Sequence, residues 1–210
     1  MNVFTGHRID PLHIKGDDIH LEDIAHALSL ICRGNGHIKY FYSVAQHSLN
    51  CAKEAQSRGY SKHVVLSCLF HDASEAYMSD LITPIKKQMK EYQIIEDQLL
   101  EKIFQAFHIQ LKNEEKIIWK EMDHLLLEAE LKEMMPLEEN RPTVTLMSEP
   151  DLKEHLPVNP LTVPWLCRSW SAWVLTTSLP LMPMTLVCRT QFPCTVLKPF
   201  SPLISLSRVC

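Results

Sequence analysis

The apolar run Val64-Val65-Leu66-Ser67-Cys68-Leu69-Phe70 leads without a break into His71-Asp72-Ala73-Ser74-Glu75. A helix that buries such a run must carry an imidazole and carboxylates into the protein interior. An unpaired buried carboxylate is costly, and ion pairing, hydrogen bonding or a metal ion are the available remedies. Imidazole beside carboxylate suits Mn, Fe, Co, Ni, Cu or Zn better than Mg. On a continuous helix His71 and Glu75 share one face, and Asp72 points about 100° away, reaching the same cavity from the side.

Two further segments offer matching side chains. In Ser43-Val44-Ala45-Gln46-His47-Ser48-Leu49-Asn50-Cys51, residues Val44, His47 and Cys51 fall on one helical stripe, which turns His47 inward. The stretch from Asn113 to Glu130 reads as a long amphipathic helix capped by Asn113, with Asp123 between Trp119 and Leu126 on its apolar side. Taken singly, His47 reads as a hydrogen-bonded core histidine and Asp123 as an ordinary carboxylate. Ligands converging from separate helices are how a helical bundle builds a metal site, and the ordered set His47, His71-Asp72, Asp123 has that form.

The order H…HD…D resembles the HD-domain superfamily of metal-dependent phosphohydrolases, and within it the 5'-deoxynucleotidase branch. His-Asp-Ala-Ser-Glu followed by Asp80-Leu81-Ile82-Thr83-Pro84-Ile85-Lys86 is similar to that branch's HDASE…GDLPTPVK segment, with Ser79 in place of the family glycine and Ile82 in place of its proline. Ile31-Cys32-Arg33 through Ser43-Val44-Ala45-Gln46-His47-Ser48 resembles its amino-terminal arginine loop and helix start. The likeness covers roughly residues 1 to 135. It implies one divalent metal ion (Mn, Co, Fe, Ni, Cu, Zn or Mg) held by His47, His71, Asp72 and Asp123. It further implies Glu75 as the carboxylate handling the proton of the attacking water or leaving group. Asp80 matches a residue at the deoxyribose or the water, Arg33 one near the phosphate or sugar, and Thr83 and Lys86 lie where they could touch the phosphate.

Composition agrees with this reading. With 210 residues and a net charge of −4, the chain is long enough for one domain with a full core, and it has no basic block of the kind that tracks a nucleic-acid backbone. Seven cysteines without a Cys-x-x-Cys pair indicate neither a zinc ribbon nor a disulfide framework. Met1 to Pro11 has no apolar core of a signal peptide, so the expected location is the cytoplasm. Helices are read at Leu21 to Leu30 and from Gln88 to Phe107, the latter with Tyr92, Ile95, Leu99 and Ile103 at near-helical spacing for a core or dimer surface.

The expected fold is all-α, an HD-domain helical bundle of four to six helices over residues 1–136 with a central metal site, followed by an irregular Pro-rich tail over 137–210. Glu154 is the last acidic residue, and Pro157, Pro160, Pro164, Pro180, Pro183, Pro193, Pro199 and Pro202 follow it with four of the seven cysteines. Proline at that density breaks helices and removes sheet donors. The uncharged stretch Ser169 to Cys188 has the length of a membrane span. Pro180 and Pro183 argue against one, and a reading-frame change that replaced a terminal helix is the expectation instead. The functional expectation is removal of the 5'-phosphate from (deoxy)ribonucleoside monophosphates by a homodimer with a small nucleotide substrate. The alternatives are an HD phosphohydrolase of cyclic or alarmone nucleotides, whose relatives carry further ligands or domains not visible here, and a non-catalytic metal-binding interaction protein.

Overall fold

In the computed structural model, residues 1–136 and 140–153 are described, and they contain seven α-helices and no strand. Two isolated bridges, Asn2 with Arg8 and Cys32 with Ser43, are the extended pairings among them. The helices are α1 (Leu21–Leu30), α2 (Val44–Ser57), α3 (Lys62–Phe70), α4 (Glu75–Met78), α5 (Thr83–Lys86), α6 (Lys90–Ala106) and α7 (Ile118–Met134). The proline-rich remainder of the tail and the uncharged stretch from Ser169 to Cys188 lie outside the described residues. No helix of the described part is long and apolar enough to cross a membrane.

Helix α2 is the axis of the bundle. Ser43 starts it by accepting a bond from the Gln46 amide at 3.1 Å, satisfying one of the otherwise orphaned first-turn donors. Val44 through Ala52 are all buried, so this helix is enclosed on every side, and its polar residues Gln46, His47, Ser48, Asn50 and Glu54 are enclosed with it. Helix α3, capped by Ser61, packs along α2 and buries every residue from Val64 to Phe70. A helix apolar all round belongs in a core. Helix α7 closes the third side through Met122, Leu126, Glu130 and Met134, a stripe at four-residue spacing. Helix α1 buries Leu21, Ile24, Ala25 and Leu28 against α2 and α4.

Two local readings need correction. The helix entering the His71 motif is not continuous: α3 ends at Phe70, residues 71–74 form tight turns, and α4 begins at Glu75. The Ala73 amide bonds Phe70 oxygen and the Glu75 amide bonds Asp72 oxygen, both i to i−3 closures. Tightening the chain there brings His71 and the neighbouring Asp72 to one cavity despite the 100° a regular helix would put between them. The second correction is Asn113, which caps no helix. Residues 113–117 are turns, and α7 starts at Ile118 without a side-chain cap.

Where Ser79 ends α4, the backbone stands at φ 72°, ψ 157°. That region is populated essentially by glycine because a Cβ crowds the backbone there. The resembled family has glycine at this position, and the geometry supplies the reason. Relief of such strain is worth about 1–3 kcal/mol, partly offset by the larger unfolded-state freedom of glycine. Ser79→Gly is therefore expected to raise the thermal midpoint by a few degrees, whereas Ser79→Ala leaves it near the parent value. Equal midpoints for the two variants in thermal unfolding would show that no strain is stored there.

Candidate metal centre

Four side chains from α2, α7 and the α3–α4 turn meet at one spot, the two histidines buried and Asp72 and Asp123 partly exposed. His47 Nε2 and His71 Nε2 lie 3.2 Å apart. Asp123 Oδ1 is 3.0 Å from His47 Nε2 and 3.7 Å from His71 Nε2. Asp72 Oδ2 is 3.2 Å from His71 Nε2 and 3.9 Å from His47 Nε2. Helix α2 also brings Cys51, one turn after His47, to 3.5 Å between Sγ and His47 Nε2.

The other ring nitrogens determine what the inward ones can do. His71 Nδ1 is 2.8 Å from the Cys68 carbonyl oxygen, which only accepts, so Nδ1 carries the proton. His47 Nδ1 is 2.6 Å from Glu130 Oε1 and donates to that carboxylate. In the neutral rings both Nε2 atoms therefore present lone pairs to the same point. Two imidazole Nε2 atoms facing each other, with two carboxylates beside them, call for a positive charge between them: a proton in metal-free protein, where, against burial, Asp72 and Asp123 hold the His71 pKa up, or a metal ion in its place. Donors about 2.0–2.3 Å from a shared ion sit about 2.8–3.6 Å from their neighbours, which matches the closer separations here. His47, Cys51 and His71 form a buried set able to hold a metal ion, and Asp72 and Asp123 border it.

Three carboxylates, Asp72, Asp123 and Glu130, surround the cluster, and Arg33 with the two imidazoles offsets them. Arg33, in the loop before α2, places Nη1 3.3 Å from Asp72 Oδ2 and Nη2 3.6 Å from Glu130 Oε2. The guanidinium thus pairs with Asp72 and Glu130 and feels the charge of Asp123; with the imidazoles neutral, as metal binding requires, the carboxylates outnumber it and a divalent ion would offset the excess. The loop reaches inward because Gly34, Asn35 and Gly36 all take positive φ, two of them glycines suited to that region. Arg33 is consequently part of the site and not a solvated surface charge.

Glu75, the first residue of α4, is buried, and its Oε2 has no hydrogen-bond partner among the described residues. Burial, then Asp72 and Asp80, push its pKa well above the ordinary carboxylate value, so it retains a proton where other carboxyls have lost theirs. Burial also opposes charge on Asp72, but His71, Arg33 and His47 outweigh it and hold Asp72 strongly ionised. Asp123 is held low in the same way by His47 and His71.

The remaining sequence candidates stand farther out. Asp80 is half-buried and acts on Glu75 through its charge. Thr83 is exposed at the start of α5. Lys86 pairs with Glu96 of α6 at 2.7 Å. Three residues of the site were not singled out from the chain: Cys51, Tyr42 and Glu130. Cys51 is four residues after His47 and Glu130 seven after Asp123, the helical spacings that could have flagged them. Tyr42, which donates to Glu130 Oε1 at 2.9 Å, precedes α2 and has no periodic signature.

A pH dependence follows. Burial lowers the His71 pKa, but Asp72 and Asp123 outweigh it and hold it well above the ordinary 6.5. A raised folded value contributes stability that is complete below the unfolded pKa and lost as pH rises through the folded one. Metal-free protein is thus expected to lose thermal stability above about pH 6.5 by this route, and His71→Asn to show a flatter profile. Stabilisation by added Mn²⁺ should grow over the same range, because protons and metal compete for Nε2. Parallel wild-type and His71→Asn curves with chelator present would refute the assignment.

Known proteins match this same stretch. Residues 36–135 match the family described as HD domain. An uncharacterized protein of Escherichia coli, YfdR, is 37% identical over 99 residues, which are 47% of this chain and 53% of that protein. An uncharacterized protein of Rhodobacter capsulatus is 40% identical over 103 residues, 46% of this chain and 52% of its own. The chain therefore spans about half the length of the curated relatives it matches. The matched stretch holds His47, His71, Asp72 and Asp123 and folds as the helical bundle described above: residues 36–135 are what this chain shares with the HD-domain family.

Proposed function

We propose that the chain is a metal-dependent phosphohydrolase that removes the 5'-phosphate from deoxyribonucleoside and ribonucleoside monophosphates. The observation that carries the reading is the meeting of two Nε2 atoms at 3.2 Å, flanked by Asp72 and Asp123, with the nearby Glu75 carboxyl buried and its Oε2 unpartnered among the described residues. His47, His71, Asp72 and Asp123 would hold one divalent ion. When bound, such an ion supplies Lewis acidity toward phosphate oxygen and lowers the pKa of water.

The chain's own groups supply the rest. Glu130 and the Cys68 carbonyl hold both imidazoles in the tautomer that leaves Nε2 free, so the donor set is built before any ion arrives. Arg33, permanently charged, holds Asp72 and Glu130 and adds a positive field at the edge where a phosphate would approach. Glu75 holds its proton to higher pH than an ordinary carboxyl and, having given it, has a carboxylate to take one back, the two halves of general acid–base catalysis. Trp119 of α7, its ring 5.8 Å from that of His71, forms an apolar wall that lowers the local dielectric and strengthens these interactions. By the family resemblance Asp80 would meet the sugar, and Thr83 and Lys86 the phosphate.

The deciding assay is phosphate release from a panel of deoxy- and ribonucleoside monophosphates by metal-stripped protein with Mn²⁺, Co²⁺ or Mg²⁺ restored. Release that needs metal and vanishes in His71→Ala supports the proposal. Activity confined to cyclic or alarmone nucleotides would move the assignment to another HD phosphohydrolase, and metal-loaded, folded protein without turnover would make it a binding protein. Glu75→Gln is expected to lower kcat by about 10²–10⁴-fold, the usual worth of a positioned acid–base group, while bound metal measured by atomic emission stays unchanged. The proposal includes a homodimer, supported by exposed Ile85, Met89 and Ile94 on and beside α5 and α6, and light scattering reads it directly.

A further inference from the structure

Residues 145–153, beyond the end of the matched HD segment, lie along α2 and dock on two buried polar residues of it. Glu54, fully buried, accepts the Met147 amide at 2.9 Å, the Ser148 amide at 2.8 Å and the Ser148 hydroxyl at 2.6 Å, together with Arg58 Nε at 2.7 Å. Asn50, one turn earlier, grips the main chain of Asp151 from both sides: its Nδ2 donates to Asp151 oxygen at 3.0 Å and its Oδ1 accepts the Asp151 amide at 3.1 Å. The Tyr40 hydroxyl donates to the Leu152 carbonyl. Arg58 adds a bond to Thr145 oxygen at 3.3 Å.

The Asn50 grip continues to the metal centre through a chain whose polarity is determined at each link. A side-chain amide can flip, exchanging its donor and acceptor, but the paired bonds to Asp151 admit only one orientation. In that orientation Nδ2 also donates to Tyr42 Oη at 2.8 Å. Tyr42 has a single proton, and with its oxygen accepting from Asn50 that proton goes to Glu130 Oε1 at 2.9 Å. Glu130 then remains an acceptor for His47 Nδ1–H at 2.6 Å, which leaves Nε2 of His47 bare toward His71 and Asp123. With Asp151 gone, the Asn50 amide could turn its oxygen toward Tyr42, offering that hydroxyl a partner that competes with Glu130.

We propose that the segment 145–153 completes the metal centre, with Asn50 and Tyr42 as positioning residues that relay its docking to the His47 imidazole. The inference depends on the metal-centre reading above, since the relay ends on a ligand candidate. Its subject is a part of the chain that the HD match does not include.

The test is Co²⁺ titration of metal-stripped full-length protein, followed through the visible absorption of the bound ion. Tyr42→Phe and Asn50→Leu interrupt the relay, while Glu54→Gln releases the segment by presenting an amide NH₂ to the Met147 and Ser148 donors, seven residues along α2 from His47. Each is expected to weaken Co²⁺ binding about tenfold, the lower end of what loss of a ligand's hydrogen-bond partner costs. Because all three act through one chain, Glu54→Gln combined with Asn50→Leu should bind as Asn50→Leu alone does. A generally destabilised fold would not give that non-additivity. Tyr42→Phe removes one oxygen and keeps the test open if Asn50→Leu does not fold. Wild-type affinity in Glu54→Gln, or additive losses in the double variant, would overturn the proposal. Wild-type protein that fails to bind Co²⁺ would overturn the metal reading itself, and this inference with it.

Discussion

Everything at the centre of this protein depends on two Nδ1–H groups having acceptors. Glu130 takes one and the Cys68 carbonyl takes the other, and only because they do can His47 and His71 turn toward each other, at 3.2 Å, the Nε2 atoms for which a proton and a metal ion compete. Remove either acceptor and the ring is free to carry its proton on the inner nitrogen, where it would block an ion. The Cys68 carbonyl is available because α3 stops at Phe70 and hands over to tight turns, so the irregularity at residues 71–74 and the tautomer of His71 have one cause.

The same demand explains why the most buried helix of the bundle is also its most polar. Burying Gln46, His47, Asn50 and Glu54 without partners would cost several kcal/mol in lost hydration. The structure surrounds them with α3, α7 and residues 145–153: α7 brings the Glu130 and Asp123 carboxylates to His47, and residues 145–153 bring main-chain and hydroxyl groups to Asn50 and Glu54. Glu54 shows the exchange: a carboxylate with no exposed surface is kept ionised against its burial by the Ser148 hydroxyl, the Met147 and Ser148 amides and Arg58. For His47, Asn50 and Glu54 packing and polar satisfaction are one problem, solved by the same contacts, whereas Gln46 Oε1 and Ser48 Oγ are buried without a partner among the described residues.

The helical class was legible from periodicity wherever one face had to be buried: Leu21, Ile24, Ala25 and Leu28 in α1, and Leu99 and Ile103 in α6 are buried as their spacing requires. The boundaries were less legible. Asn113 looks like a cap, yet Glu115 occupies that turn, accepting the Lys112 amide and the Ser61 hydroxyl, and α7 waits until Ile118. Local propensity lost to a tertiary partner there. Within the site, His47, His71, Asp72 and Asp123 stood out because polar residues on apolar faces are chemically anomalous. Cys51 did not, because a buried thiol is also an ordinary small core side chain, and Glu130 did not, because a glutamate in a Glu- and Lys-rich helix looks like solvent-facing charge.

By itself the sequence determined which residue types enter the core and at what helical spacing, since side-chain hydrophobicity and backbone period are local properties. That was enough to specify an all-α bundle with an imidazole and carboxylate cluster inside it. Only the tertiary structure decided which nitrogen of each histidine faces the cluster, that Arg33 points inward to Asp72 and Glu130, and that residues 145–153 seat on Glu54 and Asn50. For His71 the deciding partner is the Cys68 carbonyl three residues earlier, freed by the break after α3; the other outcomes depend on pairings between groups 39 to 101 positions apart, and no local period records a hydrogen bond across such a distance.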